Sequence, residues 1–244
     1  MMEIGEKKPF LEHLEELRKR LIRCLVAIAM GFLISYFFSE KAFLLLISPL
    51  KKALPEGGHL IFTNLPEMFI TYLKVALVMG IMFSSPVIFY EMWKFVAPGL
   101  YQNEKRYIIP FVLCSTILFV GGSIFGYFVV FPFGFKFFLG FANESVKALP
   151  SVKQYFSFAM KLLIAFGIVF ELPVIAYFLT RIGLLTPEFL KNNRKYSIVV
   201  IFAVAAIFTP PDVMTQLMMA VPLIVLYEAS IVVSRIAYAG KKKE

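Results

Sequence analysis

Charge is scarce in this chain. Only 17% of its 244 residues are charged, 59% are hydrophobic, and the mean hydropathy is +0.79. A soluble domain needs more polar surface than this, so an integral membrane protein is implied. Histidine and cysteine number two each. His13 and His59 lie far apart, and Cys24 and Cys114 fall in or beside apolar runs, so neither a metal site nor a disulfide framework is suggested, and no cofactor is expected. The patterns GxSxG, HExxH and the P-loop are missing, which argues against an enzyme. No fixed-period repeat and no clear inverted pair of broken helices appears. The first apolar run follows a long charged leader without a small-residue cleavage site, so no cleavable signal peptide is expected.

Long apolar runs are abundant. A hydrocarbon core about 30 Å thick needs roughly 20 apolar residues of helix. Runs at 21–38, 68–90, 107–131, 156–180, 197–208 and 213–233 predict an all-α, six-span membrane protein forming a single domain. Because the runs are continuous and do not alternate, a β-barrel is excluded. The fifth run is short, and Pro222 is expected to break the sixth, so the last two spans are predicted to be short. Such a pair is expected to thin the bilayer locally or admit water.

The net charge of +9 is topological. Basic residues do not cluster with interleaved aromatics in a soluble module, so nucleic acid is not an expected partner. All seven arginines (18, 20, 23, 106, 181, 194, 235) fall at the start, in the second and fourth connections, or near the C-terminus. Six spans put those segments on one face, and the Lys/Arg bias makes it cytoplasmic, with both termini inside.

Residues 1–20 form a leader whose stripe Phe10, Leu14, Leu17, Leu21 predicts an amphipathic helix lying along the membrane before turning in. Its polar face offers Glu15–Lys19 and Glu16–Arg20 as i,i+4 pairs worth about 0.2–0.5 kcal/mol each on a solvated helix. The first external connection holds an amphipathic piece expected to break at Pro49. Thr63 or Asn64 is expected to cap the second span, with Pro66 and Glu67 in its first turn. Lys74, inside that span, is expected to snorkel outward. The span ends on Glu91, Trp93 and Lys94, with Trp93 read as an interfacial aromatic. Pro98–Gly99 then forces a turn, and Asn103 caps the third span, placing Glu104 in its first helical turn. The third span ends in an aromatic run suited to an outer interface, and residues 133–153 are expected to connect outside. Glu171, directly before Leu172–Pro173, is the most expensive residue in the chain, because a carboxylate at membrane depth faces a polar interior. It reads equally as a protonated or Lys-paired structural group and as a functional one. Gly183 ends that helix, Thr186-Pro187-Glu188 starts a short inner one, and Asp212 caps the last span. That span carries Gln216 and Glu228, and residues 236–244 form a basic tail.

The leader His13-Leu14-Glu15-Glu16-Leu17-Arg18-Lys19-Arg20-Leu21, the loop Phe95-Val96-Ala97-Pro98-Gly99-Leu100-Tyr101 with Glu104 and Arg106, the segment Phe170-Glu171-Leu172-Pro173 and the turn Thr209-Pro210-Pro211-Asp212 together resemble the TatC family, the C subunit of the twin-arginine protein translocase. The likeness runs from about residue 10 to 238. It implies a cup-shaped six-helix receptor in a bacterial or archaeal cytoplasmic membrane, binding signal peptides with paired arginines. It also implies single-span TatA- and TatB-type partner subunits, self-association, and transport drawing on the proton gradient. By position, Glu16 and Glu104 match the family's recognition carboxylates, and a planar guanidinium is well held by a carboxylate accepting two hydrogen bonds. Arg18 and Arg106 fall on motif positions and are expected to orient those carboxylates. Phe95 belongs to the same motif, and Pro49 and Asp212 to external-side motifs. Glu171, with Gln216, is implied as an intramembrane polar contact for the signal peptide or partner subunits. Two rival readings stand: an ion-coupled secondary transporter relaying protons through Glu171 and Lys161, and a purely structural scaffold.

Overall fold

The computed structural model describes residues 4–54, 58–96, 108–141, 148–209 and 212–241, with side chains from residue 12 to 240. Ten α-helices follow one another among the described residues: α1 (Ile4–Phe37), α2 (Ser39–Ala53), α3 (Glu67–Val96), α4 (Ile108–Phe125), α5 (Phe131–Leu139), α6 (Val152–Val169), α7 (Leu172–Arg181), α8 (Pro187–Asn192), α9 (Arg194–Phe208) and α10 (Val213–Lys241). A single π turn, Gly126–Val130, joins α4 to α5. Among the described residues five stretches are long and apolar enough to cross a membrane: Glu12–Phe37, Glu67–Val96, Ile108–Leu139, Val152–Arg181 and Val213–Gly240. The fifth run is carried by α9, whose 15 residues fall short of that length, as its composition foretold.

Several local expectations change. Leader and first span are one helix of 34 residues, with no turn between a surface piece and a membrane piece. Between Pro9 and Gly31 the sequence offers no proline or glycine to interrupt the backbone ladder. The last span is not short either: α10 runs 29 residues straight through Pro222, and its length takes up the expected basic tail as far as Lys241. Prolines persist in buried helices where neighbours supply the missing partners. The external connection expected at 133–153 is helical up to Leu139, because the π turn carries the third span onward.

Pro49 likewise fails to break α2. A proline removes the hydrogen bond to the carbonyl four residues earlier, here that of Leu45. The Tyr127 hydroxyl donates to that carbonyl at 2.6 Å, and Tyr155 donates to the adjacent carbonyl of Leu46. Tyr127 thus replaces what the proline removed, and Tyr155 adds a second bond beside it. The aromatic run expected at an interface is divided, with Phe131 and Phe135 in the core and Phe128 and Phe133 exposed.

The main core packs α2, α3, α5, α6, α9 and α10 around Phe156 and Phe166. Phe43 stacks on Phe156 with ring centroids 4.5 Å apart. A second cluster of Phe89, Trp93, Val112, Phe119, Val174 and Phe178 joins α3, α4 and α7. Trp93 is buried here and not interfacial: its indole N–H donates to Ser115 Oγ at 3.0 Å and its ring stacks on Phe111. A buried indole needs such an acceptor.

α1 lies against α3 through glycines. A Cβ on Gly80 would stand 2.6 Å from the Phe32 nitrogen, and one on Gly31 would stand 2.6 Å from the Gly80 carbonyl oxygen. Small residues permit this backbone approach in membranes, where there is no hydrophobic drive between helices. Ser84 adds a hydrogen bond to the Ala27 carbonyl at 2.7 Å.

At one end of the bundle Glu67 ties two connections together. Its Oε2 accepts from the Thr63 backbone N–H at 2.9 Å, while Oε1 accepts from Ser151 Oγ and from the Lys153 backbone N–H at 2.8 Å. Capping of the second span thus runs backwards from Glu67, beside a lone bridge between Ile61 and Ser151. Lys74 does not merely snorkel: its ammonium donates to Ser157 on α6 at 3.2 Å.

Candidate functional site

The other end of the bundle gathers the N-terminal half of α1, the C-terminal end of α3, the start of α4 and the C-terminal end of α7. Trp93 against Phe111 and Phe178 fixes the last three, and Thr180 bonded to Ser234 at 2.7 Å brings α10 to the same end. Gly183, the one described residue with positive φ (86°), closes α7 there. Thr186 then caps α8 by accepting from the Phe189 N–H at 3.1 Å, as its sequence predicts.

The centre of this end is a cluster of two carboxylates and two guanidiniums. Both expected i,i+4 pairs form: Lys19 meets Glu15 at 2.9 Å, and Arg20 meets Glu16. Arg20 does more than pair within its helix. Its Nη1 donates at 3.0 Å to Oε2 of Glu91, 71 residues away on α3, and Arg23 approaches Oε1 of Glu91 at 3.4 Å. Arg20 and Glu91 keep only 10% and 8% of their side-chain surface exposed, whereas Glu16 keeps 39%. Isolated ions at such burial are costly, and the mutual pairing offsets that cost. Glu16 is therefore anchored on one side and open on the other.

Phe95 completes the junction. Its ring stacks on the His13 imidazole with centroids 4.4 Å apart and planes at 17°. The C-terminal end of α3 is thus bound to the leader by one stacked pair and one buried ion pair. Arg18, expected to orient Glu16, is exposed and makes no ion pair among the described residues; Arg20 holds Glu16 instead. Glu104, Arg106, the Pro98–Gly99 turn and the Asn103 cap lie outside the described residues.

Glu171 sits where α6 gives way to α7, in a one-turn interruption that divides the fourth span. It is 5% exposed, and neither carboxylate oxygen has a hydrogen-bond partner among the described residues. Lys161 lies exposed on α6 and does not pair with it, ten residues and about 15 Å of helix rise away. The relay expected of a transporter has no contact to start from.

Gln216 donates to the Phe202 carbonyl at 3.0 Å and pins α10 to α9. Asp212 caps α10, accepting from the Thr215 N–H at 2.8 Å and from the Thr215 hydroxyl. Pro49 stands in the opposite half of the molecule from Glu16, beside Tyr127 and Tyr155 as described. The predicted site residues therefore fall into separate groups: Glu16 and Phe95 at one end, Glu171 in the interrupted span, Gln216 at the α9–α10 contact, and Pro49 and Asp212 elsewhere.

Sequence reasoning missed Glu91 and Arg20 as partners. The only local sign was a carboxylate near the end of a span, three positions from a cation, with no indication of which arginine it meets.

Comparison with known proteins identifies the family. The family model described as Sec-independent protein translocase protein (TatC) matches residues 12–222. The chain is 55% identical to the Sec-independent protein translocase protein TatC of Desulforapulum autotrophicum, over 98% of this chain and 88% of that protein. It is 39% identical to the TatC of Escherichia coli K12, over 98% and 93% respectively. A crystal structure described as the twin arginine translocase receptor TatC superposes with a TM-score of 0.83 at 43% identity, covering 92% of this chain and 99% of that one. The chain belongs to the TatC family of Sec-independent protein translocase proteins.

Proposed function

We propose that this chain is the signal-peptide receptor and core of a twin-arginine translocase, with Glu16 and Glu104 each holding one arginine of the incoming peptide. The observation that carries the reading is the state of Glu16: its carboxylate is fixed by Arg20 yet 39% exposed, beside the Phe95–His13 stack at the end of α3 that leads into the Glu104 segment. A carboxylate held in place and open to solvent suits capture of a guanidinium, which gains from two parallel charge-assisted hydrogen bonds.

The end bearing the cluster is the cytoplasmic face of a bacterial or archaeal cytoplasmic membrane. Arg18, Arg20, Arg23, Arg181, Arg194 and Arg235 all belong to segments at this end, in keeping with positive-inside orientation, and α9 counts as the short fifth of six spans. Once the arginines are held, the apolar core of the signal peptide enters along the bundle toward Glu171. The α9–α10 contact around Gln216 and the Glu171 interruption receive single-span TatA- and TatB-type subunits, since one chain of this size does not enclose a pore for a folded protein. Transport draws on the proton gradient.

The test is equilibrium binding or crosslinking of a twin-Arg signal peptide to the chain in lipid, with a Lys-Lys peptide as control. Glu16→Ala and Glu104→Ala are each expected to lower twin-Arg binding toward the Lys-Lys level. Unchanged binding in both variants overturns the assignment.

A further inference from the structure

In the recognition scheme above Arg20 holds Glu16 in place, and in doing so it already occupies the carboxylate given to the ligand. Its Nε donates to Oε1 of Glu16 at 3.1 Å, and Nη2 donates to the same oxygen. Its remaining arm, Nη1, donates to Glu91 at 3.0 Å. Two N–H groups of one guanidinium on one carboxylate is how an arginine of a bound peptide would grip Glu16.

We propose that Arg20 is an internal stand-in for the ligand's guanidinium, and that Glu91 is a specificity-determining residue that retains Arg20 when a peptide arginine takes Glu16. Recognition is then an exchange of guanidiniums. This rests on the reading of Glu16 as a recognition carboxylate. Three observations support it. First, the exposure is graded: Glu16 opens to solvent while Arg20 and Glu91 are buried, so a ligand reaches Glu16 first. Second, Oε2 of Glu16 makes no hydrogen bond among the described residues, with the His13 imidazole 3.9 Å away, and offers a landing point before Arg20 lets go. Third, Arg20 released without a partner would be a buried unpaired charge, an expensive state. Glu91 prevents it, since it holds one arm of Arg20 already and its Oε1 is contacted only loosely by Arg23, at 3.4 Å.

The exchange also explains a preference for arginine over lysine. A competitor must match the planar two-donor grip it displaces, and a lysine ammonium brings a point charge without that geometry. Discrimination then comes from the internal rival as well as from the fit of the ligand.

The experiment measures equilibrium binding of twin-Arg and Lys-Lys peptides to the full chain in lipid nanodiscs, for the unsubstituted protein, Glu91→Gln, the double variant Arg20→Gln/Glu91→Gln, and Glu16→Ala. Glu91→Gln strands Arg20 on Glu16 and is expected to weaken twin-Arg binding by about thirtyfold or more, the scale for removing one partner of a buried charge pair. The double variant removes both the rival and its buried partner. It should bind the twin-Arg peptide at least as tightly as the unsubstituted chain and narrow the gap to the Lys-Lys peptide. If Glu91→Gln binds normally while Glu16→Ala does not, or if the double variant is as weak as Glu91→Gln, the exchange is overturned and the recognition reading stands. Normal binding by Glu16→Ala overturns both.

Discussion

His13 and Phe95 stack face to face at 4.4 Å, joining two motif residues that are 82 positions apart in the chain. With the Arg20–Glu91 pair one to two helical turns further along, this contact makes the leader and the end of α3 a single unit. The Glu16 half of the proposed recognition site is thereby positioned before any ligand arrives.

Phe95→Ala removes the stack. Aromatic pairs contribute about 0.5–1.5 kcal/mol beyond area burial, so a modest drop in thermal stability in lipid is expected. Twin-Arg peptide binding should fall by a larger factor than stability, because the end of α3 loses its register against Glu16. Full peptide binding in a variant that still folds would show that the stack has no part in recognition.

Gly80→Ala tests the α1–α3 crossing. The new Cβ would lie 2.6 Å from a backbone nitrogen of α1, where no side-chain adjustment relieves the overlap. The two helices must separate, at about 1–3 kcal/mol or more. Lower thermal stability and faster proteolysis of α1 are expected; a variant as stable as the unsubstituted chain would contradict the close approach.

Tyr127 and Pro49 should be coupled. Tyr127→Phe leaves the Leu45 carbonyl without a partner and is expected to cost about 1 kcal/mol. In a Pro49→Ala background the alanine N–H can reach that same carbonyl, so the cost of Tyr127→Phe should shrink by half or more. A double-mutant cycle with no coupling between the two sites would sink this account of the continuous α2.

Glu67→Gln should loosen the opposite end. The carboxylate accepts from two different connections, and an amide nitrogen in place of one oxygen faces donors where it needs acceptors. Destabilisation of about 1–3 kcal/mol is expected, with earlier proteolysis in the segments around 58–66 and 148–151. Equal protease resistance would count against the tie.

Glu171→Gln should do the reverse. Neither oxygen of Glu171 has a partner among the described residues, so a neutral isostere removes a buried acid without removing a bond. Thermal stability is expected to hold or rise, while precursor export falls if the residue serves partner or signal contact. A marked loss of stability would reveal a structural role for the charge.

Much of this protein was legible in its sequence because it is local. The apolar runs, the shortness of the fifth, the cap at Thr186, the cap at Asp212, the Gly183 stop and the Glu15–Lys19 and Glu16–Arg20 pairs all depend on residues within a few positions of one another, where helix geometry fixes who meets whom. The burial of Trp93, the bond from Lys74 to Ser157, the rescue of Leu45 by Tyr127 and the pairing of Arg20 with Glu91 join residues 22 to 83 positions apart. No spacing rule reaches that far. Helix crossings decided those partners, and with them whether a charge or proline at membrane depth is a break, an anchor or part of the site. The sequence alone determined which residues had to find partners, because the bilayer makes unpaired polarity expensive; the tertiary structure decided which partners they found.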